Sequence, residues 1–329
     1  MTKPGCRDWR ELTAAEAAAL IEAEGQAWAA ELDWDVADTW RHLEPARAAG
    51  RLPGLAYRTP SGRIAGWCCF LVHQGTLQVA MLVADDREVT AALIAGILRS
   101  PEAAAARSWA LCVRQAAPGL RQALAAHGFG VATYRYLSAS PDVPAEALPG
   151  VRSWRLADVA AAAALLARAY ARSADVRAFA VHSTTDEWCD YAEGLVTRSG
   201  CGQFLSSASF VVDVPAAAPG TVRANAALDG AILTTDLGCR TAHVAQVAVD
   251  PSARGLGFGR ALMTTAMAAA AGAGFERVTL LVSDANDAAA RLYEELGFRD
   301  RAAFTVAVNR QPRRSTRVAF ATGGASTRR

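Results

Sequence analysis

Two stretches of this 329-residue chain hold residue types at spacings that could do chemistry. The first runs Gln246-Val-Ala-Val-Asp-Pro-Ser-Ala-Arg-Gly-Leu-Gly-Phe-Gly-Arg-Ala-Leu-Met263. A β-rich run ends at Asp250-Pro251, and a loop follows with glycines at 255, 257 and 259. A helix pattern then starts, with Leu262, Met263, Ala266, Met267 and Ala270 on one face. Strand, glycine loop and helix start form an anion-binding device, because unpaired N–H groups converge there and the helix dipole favours negative charge. Glycine permits positive φ and the close approach of a phosphate. Arg254 and Arg260 flank the loop and can meet phosphate oxygens. The second stretch is Asn286-Asp-Ala-Ala-Ala-Arg-Leu-Tyr-Glu-Glu-Leu-Gly-Phe298. It reads as a short helix with Asn286 as N-cap, Tyr293 on its apolar face, and Gly297 as C-cap with Phe298 beside it.

Other glycine-loop chemistries fit poorly. A dinucleotide fingerprint spaces its glycines G-x-G-x-x-G, whereas this loop reads G-x-G-x-G, and no acidic residue closes a second strand at the required distance. A nucleotide P-loop needs a lysine, and the chain has one lysine only, Lys3. A purely structural glycine turn remains the plain alternative.

The elements that must position these stretches come twice. The first half reads as a helix over 11–31 opened by a Thr13–Glu16 capping box. Strands follow at 55–57, 63–72 and 77–84, then a helix at 89–98, a strand at 109–113, a short helix at 120–126 and a strand at 134–137. The second half reads as a strand at 151–156, helices at 157–172 and 186–199, and strands at 203–214, 229–235 and 244–249. It closes with the loop, a helix at 259–271, a strand at 278–282, a helix at 287–296 and a strand at 301–309. Gly128-Phe129 corresponds to Gly297-Phe298 at an offset of 169, and LQVAMLVAD (77–85) resembles HVAQVAVD (243–250). A repeat as long as a domain implies tandem copies of one α/β unit, 1–140 and 151–310. Between them 141–150 holds three prolines and reads as a linker, and 311–329 reads as a basic disordered tail.

Composition narrows the class. Hydrophobic residues make up 52% and charged residues 20%, as in a globular protein with a sizeable core. The net charge is +2, and six arginines lie from Arg310 onward with no acid, so the body is mildly acidic and no polyanion reader. No stretch is long and apolar enough to span a membrane. The seven cysteines form no CxxC or Cys/His cluster, so neither a disulfide framework nor a metal site is expected, and a reducing cytoplasm fits. One lysine against 33 arginines, with abundant alanine, suggests a GC-rich bacterial genome.

The two stretches resemble the motifs of the GNAT N-acetyltransferase superfamily. QVAVDPSARGLGFGRAL follows V-x-V-x-P-x-x-[RQ]-G-x-G-x-[GA], and 286–298 follows N-x-x-A-x-x-L-Y-x-x-x-G-F, in family order and spacing. The resemblance implies two tandem GNAT-like domains, each a mixed, mostly antiparallel sheet flanked by helices, with acetyl-CoA as cosubstrate and no metal. The pantetheine arm would lie along the backbone of Val247, Ala248 and Val249. The pyrophosphate would sit on the amides of Arg254, Gly255, Leu256, Gly257, Phe258 and Gly259, with Arg260 adjacent and Asn286 in reach of the cofactor. Tyr293 matches the tyrosine that protonates the leaving thiolate.

The implied activity is acetyl transfer to a primary amine of a small molecule or peptide, by direct attack in a ternary complex. A non-catalytic acyl-CoA-binding or sensing module is the alternative. The general base stays open: His243 can titrate near neutrality, Gln246 can orient but not deprotonate, and His182, Asp186, Glu187 and Asp190 lie in the second-helix region, which the resemblance puts on the acceptor side, where they either read a cationic substrate or are solvated helix residues. Leu281 stands where the branch that acetylates protein N-termini carries an acid, which argues against a protein α-amine. The first half reads as a degenerate copy. It has no glycine between Gly75 and Gly96, offers Asp85, Asp86 and Glu88 where the second half offers arginines, and carries Leu124 and Ala117 in place of Tyr293 and Asn286.

Overall fold

The computed structural model describes residues 5–146, 148–173, 180–198, 200–213 and 227–310; the expected tail over 311–329 lies outside them. The first half contributes β1 (Gly5–Asp8), α1 (Ala14–Leu32), α2 (Ala37–Trp40), α3 (Leu43–Ala48), β2 (Gly54–Arg58), β3 (Ile64–His73) and β4 (Thr76–Ala84). It continues with α4 (Arg87–Leu98), α5 (Pro101–Ala105), β5 (Ser108–Arg114), α6 (Leu120–Ala125) and β6 (Gly130–Ala139). The second half holds β7 (Val151–Ser153), α7 (Val159–Tyr170), α8 (Thr185–Thr197), β8 (Gln203–Phe204), β9 (Phe210–Asp213), β10 (Leu228–Asp236) and β11 (Thr241–Val249). It ends with α9 (Phe258–Gly272), β12 (Arg277–Ser283), α10 (Asp287–Glu295) and β13 (Arg299–Arg310). The capping box at Thr13 forms as the sequence predicts, with Glu16 N–H on the Thr13 hydroxyl and Thr13 N–H on the Glu16 carboxylate.

The repeat is visible in the register of the sheet. In the first half β4 pairs in parallel with β5 from Thr76–Ser108 to Val79–Leu111 and then departs from it. In the second, β11 pairs with β12 from Thr241–Arg277 to Val244–Leu280 and then departs. The offsets are 165 on one strand and 169 on the other, the latter being the offset of the two Gly-Phe pairs. Ala80 and Ala245, again 165 apart, are each the extra residue of a bulge against the preceding strand.

The closing strands differ from the sequence reading. As the last strand of the first half, the run at 134–137 is expected from sequence to close that half's own sheet. Instead β6 pairs with β12 of the second half and with β13, and β13 pairs with β5 of the first half. The order β4-β5-β13-β6-β12-β11 therefore gives each half the other's last strand, and among the described residues one sheet of 13 strands runs through both halves. Both closing strands follow a short helix and a Gly-Phe pair, so local sequence does not distinguish which half's strand each will meet. A second difference is the run 203–214, which is broken by a 3-10 turn at Ser206–Ala208. There the Ser209 and Thr234 side chains exchange hydrogen bonds with backbone and replace the ladder.

Apolar residues on both faces of the sheet hold the site in place. On one face of the second half, α9 and α10 pack Leu262, Met263, Ala266, Met267 and Tyr293 against Val244, Leu280 and Val282. On the other, α7 and α8 pack Leu165, Leu166, Trp188 and Ala192 against Ala231, Leu233 and Ala248. Between the halves, Leu32, Trp34 and Val36 from the end of α1 cover Tyr134, Tyr136, Phe304 and Val306. Asp33 ties this segment down by ion pairs of 3.1 Å to both Arg277 and Arg301.

Candidate active site

Strand β11 presents a free edge where it leaves β12. Asp250 donates its N–H to Asp229 O at 2.7 Å, which turns that residue's backbone toward β10. Backbone groups alternate along a strand, so the N–H groups of Val249 and Val247 point the other way, into the gap beside β12. Ala248, between them, packs its side chain against the α7 and α8 face. The first half has the same gap and closes it with its own chain: Ala84, the counterpart of Val249, donates its N–H to Ala116 O at 3.2 Å.

The two helix starts beside these gaps differ in the same sense. In the first half two residues join β4 to α4, and the Asp86 carboxylate accepts the Val89 N–H at 2.9 Å. A negative side chain thus fills the anion position of α4. In the second half eight residues, 250–257, join β11 to α9. The N-cap is Gly257 at φ 84°, and no side chain caps the helix. Gly255 has φ 80°, and a Cβ at either glycine would meet nothing within 4 Å. Uncapped N–H groups above open space are what a diphosphate requires. Leu256 projects from the loop with 62% of its surface exposed.

The loop is braced from below. Asp250 accepts from Arg168 Nε at 2.7 Å and from the Ser252 N–H and hydroxyl. Burial alone would raise its pKa, but these bonds bring it down to about 2. The two arginines of the motif already have partners. Arg254 donates to Ala169 O at the end of α7, 2.9 Å away, and Arg260 pairs with Glu295 of α10. Each guanidinium has five N–H donors, so either can hold these partners and still meet an anion.

Asn286 caps α10, its Oδ1 accepting from Ala289 N–H at 3.3 Å, so the N-cap reading is realised and its Nδ2 remains a donor. Tyr293 lies one face of α10 further in, 6% exposed, with its ring 5.8 Å from Phe298. It shares its apolar cluster with Val247 and Val249 of the strand edge. Its hydroxyl has no hydrogen-bond partner among the described residues. Burial pushes its pKa up to about 12, so the phenol keeps its proton.

His243 sits apart from this edge. It is 4% exposed, its ring stacked on Trp34 at 5.8 Å and on Tyr136 at 5.9 Å, with Nδ1 3.0 Å from Thr279 Oγ1. Burial pushes its pKa down to about 4. A weak base enclosed by two rings is poorly suited to take a proton from a substrate at neutral pH. It has instead a stability consequence. Between pH about 6.5 and 4 the unfolded chain binds a proton here that the folded chain refuses, so stability falls as pH falls through that window. The expected loss is about 2 kcal/mol between pH 7.5 and 5. His243→Gln should show a shallower loss in urea titrations at those two pH values; an unchanged slope would contradict the assignment.

At the start of α8 His182 and Glu187 pair at 2.8 Å, but Glu187 is the capping-box residue of α8 and also holds the backbone N–H of His182 and Thr184. Asp190 pairs with His73 at 3.1 Å and with Arg198 at 3.2 Å, while Asp186 lies in the first turn of α8. Gln246 is 6% exposed and bonded on both ends of its amide to Tyr170 and Tyr191, two residues that sequence reasoning passes over because nothing in their spacing links them to it. Leu281 packs against the apolar cluster between the halves. Among the described residues no group of three or more His, Cys, Asp or Glu could hold a metal ion, and no helix is long and apolar enough to cross a membrane.

A splayed parallel pair, a bulge before the free edge and an uncapped glycine turn define a GNAT fold in the second half, with a related fold in the first. The second half carries a GNAT-family domain: residues 210–298 match the model of the Acetyltransferase (GNAT) family, a span that takes in every candidate residue from Val247 to Tyr293. A stretch of 52 residues is 52% identical to the mycothiol acetyltransferase of Thermobispora bispora, covering 16% of this chain and only 18% of that protein. Among solved structures, a GCN5-related N-acetyltransferase from Sphaerobacter thermophilus superposes with a TM-score of 0.55 at 16% identity, over 78% of this chain and 80% of that one. A tandem GNAT protein from the clavulanic acid biosynthesis pathway superposes with a TM-score of 0.51 at 16% identity, over 79% and 83%. At such identities these structures speak for the fold alone.

Proposed function

We propose that this chain is an acetyl-CoA-dependent N-acetyltransferase that moves the acetyl group to a primary amine of a small molecule or peptide in a ternary complex. The observation that carries the reading is the contrast between the gaps: the second half keeps the Val249 N–H and an uncapped glycine turn open and covers the Val247 N–H with the Gln246 side chain alone, where the first fills both places with its own backbone and Asp86. An amide-bearing pantetheine arm suits the edge at Val247, Ala248 and Val249, and a diphosphate suits the turn from Arg254 to Arg260. Asn286 would add a side-chain donor at the start of α10.

In this reading the neutral amine attacks the thioester carbonyl. The carbonyl oxygen gains negative charge, which a preorganised strand N–H stabilises. Collapse of the adduct expels the thiolate, and the Tyr293 phenol gives it a proton. The environment of Tyr293 supports this role, since a phenol that is buried and protonated is available as an acid at neutral pH. The amine must lose its own proton to be a nucleophile, and water or the acceptor-side residues are the candidates to receive it.

The test is a panel of polyamines, aminoglycosides, amino acids, peptides and proteins, each incubated with the full chain and acetyl-CoA. Free thiol is followed with a thiol-reactive dye, and the acceptor with mass spectrometry. Amine-dependent thiol release with an acetylated product is the expected result. Tight acetyl-CoA binding with no acetylated product from any acceptor class would favour the sensing module instead.

A further inference from the structure

Resting on the acetyl-CoA site proposed above, we propose that Gln246 is a positioning residue whose side chain covers the Val247 N–H until the thioester carbonyl takes that N–H over. The geometry is specific. Gln246 follows the Ala245 bulge on β11, and its Oε1 accepts from the Val247 N–H at 3.1 Å. That N–H is one of the two that face the gap. The same Oε1 accepts from the Tyr170 hydroxyl at 2.8 Å, and Nε2 donates to the Tyr191 oxygen at 3.2 Å. Both tyrosines are themselves fixed against Trp188, Tyr170 stacked at 5.7 Å and Tyr191 edge-on at 6.1 Å. A side-chain amide thus bridges β11 to the end of α7 and the middle of α8 with both its ends engaged.

The physical reason for such a cover is that a strand-edge N–H left bare beside apolar side chains is costly. The Gln246 oxygen is a carbonyl oxygen, so it offers that N–H what a thioester oxygen would offer. It can also be displaced at small cost, because Tyr170 and Tyr191 still hold the amide after it yields. Gln246 therefore keeps the polarising N–H aimed into the gap and sets how much an acyl group adds to binding. In this arrangement the pantetheine amide takes the Val249 N–H, so coenzyme A with a free thiol has no carbonyl at Val247 and does not compete with Gln246.

The test compares affinities of the full chain for acetyl-CoA and for free coenzyme A by calorimetry. Gln246→Met keeps the side-chain length and removes the competing oxygen. It should raise the preference for acetyl-CoA over coenzyme A by about two- to tenfold, the fold-change that loss of one neutral hydrogen bond implies, with coenzyme A affinity unchanged. Tyr191→Phe loosens the amide and should move the ratio the same way by less, which keeps the test alive if Gln246→Met fails to fold. A ratio unchanged in a folded variant would overturn the role of Gln246. Absence of binding of either ligand to the wild-type chain would overturn the site itself, which is a different result.

Discussion

Tyr293→Phe is expected to lower turnover by about 10²–10⁴ while leaving coenzyme A affinity nearly unchanged, if Tyr293 is the general acid. The substitution keeps the ring, and the ring is what packs: it lies against Phe298 and within the cluster of Leu262, Met263 and Val282. The hydroxyl removed makes no hydrogen bond to a described residue, so little folding free energy depends on it. A proton donor that contributes little to the fold separates the two readings of this tyrosine cleanly. Leu124, its counterpart in the first half, shows what a purely structural residue looks like there: 1% exposed and apolar. Steady-state kinetics with the best amine of the panel decide the matter. Turnover near the wild-type value would assign Tyr293 to packing.

The second large effect is on binding. Gly257→Glu should abolish coenzyme A binding, because it puts a carboxylate at the N-terminus of α9 where the diphosphate is proposed to sit. Asp86 does the equivalent at α4, where its carboxylate holds the Val89 N–H. Gly257 has φ 84°, so any other residue there costs about 1–3 kcal/mol of backbone strain. A Cβ at that position nevertheless meets no neighbour, and the variant should fold. Circular dichroism with a calorimetric titration checks both points. Unchanged affinity in a folded variant would remove the loop from the site.

Much of this arrangement is legible in the sequence, for local reasons. The Thr13–Glu16 capping box, the glycine turn before α9 and the Asn286 cap are each specified within a few residues. The repeat is legible because both halves carry the same strand and Gly-Phe signals, and the sheet register reproduces the offset of 169. The exchange of β6 and β13 is not legible, because both strands carry the same local signals and only the tertiary arrangement decides their partners. His243 is misleading for the same reason. Its spacing puts it on the motif strand, but Trp34, some two hundred residues earlier, determines that its ring is buried. The hold of Tyr170 and Tyr191 on Gln246 depends on how α7 and α8 pack across β11, and no motif spacing encodes it. The place of Arg254 and Arg260 beside the loop points them at phosphate, but their bonds to Ala169 O and Glu295 come from helices distant in sequence.

We propose one acetyl-CoA site per chain, offered by the second half and closed in the first by Asp86 and the Ala84–Ala116 backbone bond. Calorimetric titration of coenzyme A into the full chain tests it most directly, since the strands of the two halves are interleaved and the halves are best left together. The account predicts a stoichiometry of one per chain, falling to none in Gly257→Glu. Two sites per chain, or one site that survives Gly257→Glu, would contradict it.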